Sequence, residues 1–177
     1  DRGGVEQAVR AAMRFANLIA MLSIAAVVAF GRPALQLWAG DDIAFRTGLM
    51  ISPQTFRSLF MPYWRRVAEA ITLPWIFHTD GNFLAVLDDL LSLGMNALHP
   101  IEPDAVDIVA LKRRFADPAQ GRRLTLVGNI DVDKLAAGTP DEVSRLTRDT
   151  IRQVAPGGGY ILSSSNSIAA YCQVENV

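Results

Sequence analysis

One cysteine, Cys172, stands in the whole chain. No disulfide can form within it, which fits a reducing compartment, and a cytoplasmic location is expected. Excess charge of one sign is equally scarce: 17 basic against 18 acidic residues leave a formal net charge of −1. Without a basic field there is no footprint for nucleic acid, and without an acidic tail there is none for a solvating role. The run Gly157-Gly158-Gly159 precedes an apolar stretch instead of following one, so it lacks the context of a dinucleotide fingerprint and reads as a helix end and tight turn. Long apolar runs are also few. Phe15 to Gly31 carries no charged residue and reaches only the lower limit of the ~17–25 residues that a membrane-spanning helix needs. It contains Asn17 and Ser23, is rich in alanine and leads through Gly31-Arg32-Pro33 into another apolar run. A buried helix is expected there, not a membrane span. No small-residue cleavage site precedes a clear mature start, which argues against a signal peptide.

What is present is a core-forming chain, with 50% hydrophobic and 20% charged residues among 177, enough for one globular domain. Its apolar stretches alternate between two periods. Val5 to Phe30 reads as a long helix and Ala34 to Ala39 as a buried strand ending at Gly40-Asp41-Asp42. Ile43 to Ile51 reads as a loop. Ser52-Pro53 supplies an N-cap and an N1 proline for a helix reaching Ile71. Leu73 to Phe77 is the next strand, followed by a helix from Phe83 to Leu93 that Gly94 closes. Asn96 to His99 makes a third strand and Asp107 to Phe115 a short helix; Asp117 to Arg123 is a polar loop. Leu124 to Gly128 is the fourth strand, Thr139-Pro140-Asp141-Glu142 opens a helix to about Val154, and Tyr160 to Leu162 is the fifth strand.

Such β-then-α alternation implies a parallel sheet with right-handed crossovers. All five strands end in polar side chains. In a doubly wound sheet functional residues gather at one switch point, whereas in a (β/α)₈ barrel every strand end contributes. The barrel is therefore expected, as a partial barrel of about five β/α units, because a full one takes ~250 residues. The chain thus reads as part of something longer, incomplete at its N-terminus and again near Val177.

Several stretches also carry a family resemblance. Trp38-Ala39-Gly40-Asp41-Asp42, Ile51-Ser52-Pro53 with Phe56-Arg57 and Pro62-Tyr63, Gly128-Asn129-Ile130-Asp131, and Gly159-Tyr160-Ile161-Leu162 with Ile168 and Glu175-Asn176-Val177 together resemble the uroporphyrinogen decarboxylase superfamily. The resemblance runs from Trp38 to Val177. It implies a (β/α)₈ barrel and one uroporphyrinogen decarboxylase-like domain across residues 1–177. That superfamily also contains cobalamin- and coenzyme M-dependent methyltransferases. The chain departs from both branches. Val132 follows Gly128-Asn129-Ile130-Asp131 where decarboxylases usually have proline, Asn166 stands where they have histidine, and Leu98-His99-Pro100 replaces their Leu-Asp-Trp. The methyltransferase zinc motif, His-x-Cys before Gly-Asn, reads His78-Thr79-Asp80-Gly81-Asn82 here, and the later cysteine expected near Asn166 has Cys172 as its nearest counterpart.

Two chemistries follow, each with its residues. A lyase that decarboxylates a carboxylated, porphyrinogen-type substrate in porphyrin biosynthesis would need no cofactor. Of the adjacent Asp41 and Asp42, one faces inward; Asp42 is expected to do so and to stabilise a cationic intermediate. The alternative is a corrinoid-linked methyltransferase in which His78, Asp80 and Glu102 hold zinc or another divalent metal, with a corrinoid protein as partner. His78 and Asp80 lie two apart and face one side of a continuing strand; a hydrogen-bonded pair that merely fixes the loop is the competing reading. Substrate contacts are expected from Asp41, Asn82, His99, Asn129, Asp131, Ser165 and Asn166, although Asp131 is equally suited to capping the turn after it. A small-molecule substrate is implied in either case and a homodimer is compatible with both. A third reading is a binding module with a degenerate site.

Overall fold

The computed structural model describes residues 37–116 and 124–177. The long helix expected over Val5 to Phe30, the apolar run Phe15 to Gly31, the first residues of the strand at Ala34 and the polar loop Asp117 to Arg123 lie outside them. Among the described residues no helix is long and apolar enough to cross a membrane.

Five parallel strands form the main sheet: β1 (Leu37–Gly40), β4 (Trp75–His78), β5 (Ala97–Ile101), β6 (Thr125–Ile130) and β7 (Tyr160–Ser164), hydrogen-bonded in that order. The order never reverses. A doubly wound sheet grows outward in both directions from its first strand, whereas a barrel adds each strand to the same edge, so the sheet is a partial (β/α)₈ barrel. β4 is buried on both faces at Trp75, Ile76 and Phe77, and β6 from Leu126 to Ile130. Continuous burial of this kind is what a parallel sheet demands of its strands.

Helices cover the sheet. α1 (Pro53–Thr55) continues through a π-turn (Phe56–Phe60) into α2 (Met61–Ala70). Ser52 caps this segment, its Oγ accepting from the Thr55 N–H at 3.1 Å. The π-turn falls where Pro62 has no N–H to donate, and Met61 N–H reaches back to Phe56 O instead. A 3₁₀ turn (Leu84–Val86) leads into α3 (Leu87–Leu91), α4 is Ile108–Ala116, α5 is Val132–Ala137 and α6 is Pro140–Val154. Their apolar sides meet the sheet in one cluster that includes Phe56, Phe77, Phe83, Leu87, Leu98 and Leu126, all fully buried. Trp64 packs its ring edge-on to Phe77 at 5.0 Å between centroids.

Three expectations are corrected. The stretch from Ile43 to Ile51 is not a loop: β2 (Ala44–Phe45) and β3 (Gly48–Leu49) pair antiparallel, and Met50 N–H closes the hairpin onto Ile43 O. Each strand is two residues long, too short for alternation to show. The helix expected as one piece from Phe83 to Leu93 starts as 3₁₀, because Asn82 Oδ1 caps the Leu84 N–H at 3.2 Å and tightens the first turn. The third strand extends to Ile101. Pro100 cannot donate to the ladder, and the β5–β6 register is irregular between Leu98 and Ile101.

Candidate metal and substrate site

The C-terminal strand ends converge. Parallel register sets Gly40 beside His78 and His78 beside His99. Side chains two residues further along a strand return to the same face, so Asp42, two past Gly40, comes level with Asp80, two past His78. The structure brings these groups together: His78 Nε2 lies 3.8 Å from Asp42 Oδ1 and 3.8 Å from Asp80 Oδ1. One ligand atom from each of Asp42, His78 and Asp80 falls within 4.8 Å of the others.

The close approach of β1 and β4 depends on Gly40. A Cβ there would stand 2.2 Å from His78 O and 2.5 Å from His78 Cβ. Gly81 is the second such position. Its φ of +80° is a left-handed conformation, and a Cβ would meet Ala44 O and Phe45 O at 2.6 Å. The turn after β4 is thereby clasped against the β2–β3 hairpin, with the Asn82 N–H donating to Phe45 O at 2.8 Å.

Each acidic group has its own environment. The Asp80 Oδ2 accepts from Asn166 Nδ2 at 3.0 Å, while Oδ1 is buried with no hydrogen-bond partner. Burial raises the Asp80 pKa, Asp42 adds to this, and His78 and Asn166 oppose it. The Asp80 N–H donates to Asp42 Oδ1 at 3.2 Å. Asp42 is not enclosed: its side chain keeps 52% of its surface exposed. Asp41 is exposed by surface area as well, yet enough protein surrounds its carboxyl, with Asp42 beside it, to raise its pKa.

Glu102, expected as a metal ligand, is not part of the converging group. It follows the register irregularity of β5 between Leu98 and Ile101, and its Oε2 accepts from the Gly81 N–H at 2.7 Å. Burial still raises its pKa against that hydrogen bond. His99 meets His78 directly: the two Nδ1 atoms are 2.8 Å apart and the rings lie edge to edge, with centroids at 5.1 Å and planes 27° apart. Burial, then the neighbouring His78, lowers the His99 pKa to about 4, so His99 is neutral near pH 7.

The other expected contacts divide between structural and cavity-lining positions. Asn82 spends its side-chain oxygen on capping Leu84. Asp131 is the N-cap of α5, accepting from the Asp133 N–H at 2.9 Å, and it also lines a cavity of about 300 Å³ with Arg46, Glu102, Ser165, Asn166 and Tyr171. Ser165 is buried, and its Oγ accepts from the Val132 N–H at 3.3 Å. Asn129 is buried at the end of β6 beside Ser163; the preceding Gly128 carbonyl accepts from Tyr160 Oη at 2.7 Å, and burial raises the Tyr160 pKa to about 12. Cys172 packs with Ile130, Leu135 and Val143 in a separate apolar cluster. Thr79, Arg46 and Tyr171 were not anticipated. Thr79 is fully buried, donates its N–H to His99 O and accepts from the Ile43 N–H; a hydroxyl between His78 and Asp80 was the signal for it. Arg46, which pairs with Asp104 at 3.1 Å, and Tyr171 carry no local pattern that marks them.

A divalent cation fits this constellation on two observations: one imidazole nitrogen and two carboxylate oxygens lie within 4.8 Å of one another, and Asp80 Oδ1 is buried there without a hydrogen-bond partner. A site of one nitrogen and two oxygens, with no thiolate, suits zinc or a harder ion.

Three comparisons bear on this site. The family model described as uroporphyrinogen decarboxylase (URO-D) matches residues 6–177. A curated relative, a methylated-thiol--coenzyme M methyltransferase of Methanosarcina mazei, is 29% identical over 133 residues, covering 72% of this chain and 34% of the relative. A solved structure of a methyltransferase from Methanosarcina mazei shares the fold with a TM-score of 0.63 at 22% identity, over 81% of this chain and 40% of that one. The chain therefore spans well under half the length of either.

Proposed function

The chain belongs to the uroporphyrinogen decarboxylase family, and on that premise we propose that it forms the metal-binding half of a methyltransferase site, passing a methyl group between a corrinoid-type carrier and a small thiol. The observation that carries this reading is the convergence of ligand atoms from Asp42, His78 and Asp80 within 4.8 Å, with Asp80 Oδ1 buried and without a hydrogen-bond partner. The methylated-thiol methyltransferase among its relatives supports the same chemistry. A bound divalent cation would lower the pKa of an acceptor thiol or water.

The chain's own residues prepare the site for that role. Asn166 holds Asp80 by Oδ2 and so turns Oδ1 toward His78. Glu102 holds the Gly81 N–H and fixes the turn that carries Asp80. Glu102 and Asn166 also line the neighbouring cavity of about 300 Å³, large enough for a small thiol and bordered by Arg46 for an anionic end. The decarboxylase reading rests on a desolvated inward Asp42; with half its side chain exposed, Asp42 gives that reading less support.

The test is metal content and methyl transfer together. The protein is expected to bind one Zn²⁺ or Mn²⁺ per chain and, with methylcobalamin as donor, to methylate a small thiol; His78→Ala abolishes both. Stoichiometric decarboxylation of a carboxylated pyrrole by metal-free protein, or metal binding unchanged in His78→Ala, overturns the proposal.

A further inference from the structure

We propose that His99 is the positioning residue of the metal site, acting as a neutral hydrogen-bond acceptor that locks His78 into the one tautomer able to ligate through Nε2. This rests on the metal-dependent reading of the site given above. The two Nδ1 atoms are 2.8 Å apart, a distance at which one nitrogen carries the shared proton and the other accepts it. On its other edge His78 turns Nε2 toward two carboxylate oxygens, each at 3.8 Å. A cation held between them needs the Nε2 lone pair, and a neutral imidazole with a bare Nε2 carries its proton on Nδ1. The shared proton therefore belongs to His78, and His99 presents an unprotonated Nδ1 with its own proton on Nε2.

The arrangement is built by the sheet. His78 and His99 are register partners on adjacent parallel strands, and their rings meet edge to edge with planes only 27° apart, so the Nδ1 lone pair and N–H lie close to one plane. Thr79, immediately after His78, donates its N–H to His99 O at 2.8 Å, so the backbone continues the ladder that holds the rings together. Metal-ligating histidines characteristically donate their second N–H to a carboxylate, carbonyl or water that orients the ring; here a second histidine occupies that place. An imidazole acceptor carries no charge at this position, so it orients His78 without adding a third anion to a site that already holds Asp42 and Asp80.

Because the chain contains only two histidines, the test can be read without ambiguity. In tag-free, ¹⁵N-labelled protein loaded with Zn²⁺, long-range ¹H–¹⁵N spectra are expected to show His78 Nδ1 protonated and His99 Nδ1 unprotonated. Removing the acceptor with His99→Phe weakens Zn²⁺ binding by about 10–100-fold, as for other orienting partners of ligating histidines. His99→Asn, whose side-chain oxygen accepts from nearly the same place, recovers affinity to within a few-fold of wild type. Wild type that binds Zn²⁺ with His99 Nδ1 protonated, or an affinity unmoved by His99→Phe, overturns the positioning role while the metal site stands. Wild type that binds neither Zn²⁺ nor Mn²⁺ removes both. If His99→Phe does not fold, the wild-type tautomers and the His99→Asn affinity decide the matter.

Discussion

At the scale of single residues the site is held by atoms that have few alternatives. Asp80 ties one oxygen to Asn166 and buries the other beside Asp42 and His78, so burial and the Asp42 carboxylate work against its negative charge. Its raised pKa sets the sign of the pH response. A carboxyl whose pKa is raised on folding contributes stability that is present below its unfolded value of 3.8 and lost as pH rises through the folded value. Metal-free wild type is therefore expected to lose more stability than Asp80→Asn as pH rises above 3.8, measured by urea unfolding of both proteins. Gly81 is the other residue without a substitute. Its left-handed φ and the two carbonyl oxygens 2.6 Å from a would-be Cβ mean that Gly81→Val adds a steric clash to a conformational cost of about 1–2 kcal/mol. The expected outcome is destabilisation by at least that amount together with loss of Zn²⁺ affinity, since the turn carrying Asp80 must move; unchanged calorimetric titration would contradict it.

At the scale of elements, local chemistry decides where helices begin, and α6 shows it most clearly. Thr139 and Glu142 form a reciprocal capping box, the Thr139 N–H donating to Glu142 Oε2 at 2.8 Å and the Glu142 N–H to Thr139 Oγ1 at 3.3 Å. The Thr139 N–H and the Thr139 hydroxyl, which donates to the same Glu142 Oε2 at 2.9 Å, hold the Glu142 carboxyl below its ordinary value of 4.5. A depressed pKa contributes stability above the unfolded value that is lost as pH falls through the folded one. Thr139→Ala is expected to cost about 1 kcal/mol at neutral pH, and the gap between wild type and Glu142→Gln should close as the pH drops below 4.5, readable from thermal melts. The helix starts at Ser52 and Thr139 were legible in sequence because a cap and an N1 proline lie within four residues of each other. The β2–β3 hairpin was not, since strands of two residues leave no period to detect. α3 was read too long because Asn82 competes for the first turn.

At the scale of the whole molecule, any cation that binds only the folded chain is linked to folding. A cation that binds the folded chain at about a hundredfold excess over its Kd adds about 2.7 kcal/mol, which corresponds to a rise in Tm of roughly 5–10 °C for a chain of this size. Zn²⁺ is expected to raise the melting temperature of wild type by that much and to leave His78→Ala unmoved, as differential scanning calorimetry would show. The sequence by itself determined the alternation of buried strands and helices, the partial barrel, and the polar character of every strand end. These depend on periodicity, caps and glycines a few residues apart. It also placed His78 and Asp80 on one side, because a spacing of two carries that information. Tertiary structure alone decided which third group joins them. Asp42 and Glu102 both follow strands that flank β4, and nothing local separates them. Register brings Asp42 level with Asp80, because Gly40 pairs with His78, while Glu102 follows the irregular stretch of β5 between Leu98 and Ile101 and its carboxylate is engaged by the Gly81 N–H instead. The face a side chain takes follows from register, and register between strands, with its irregularities, exists only once the strands have paired.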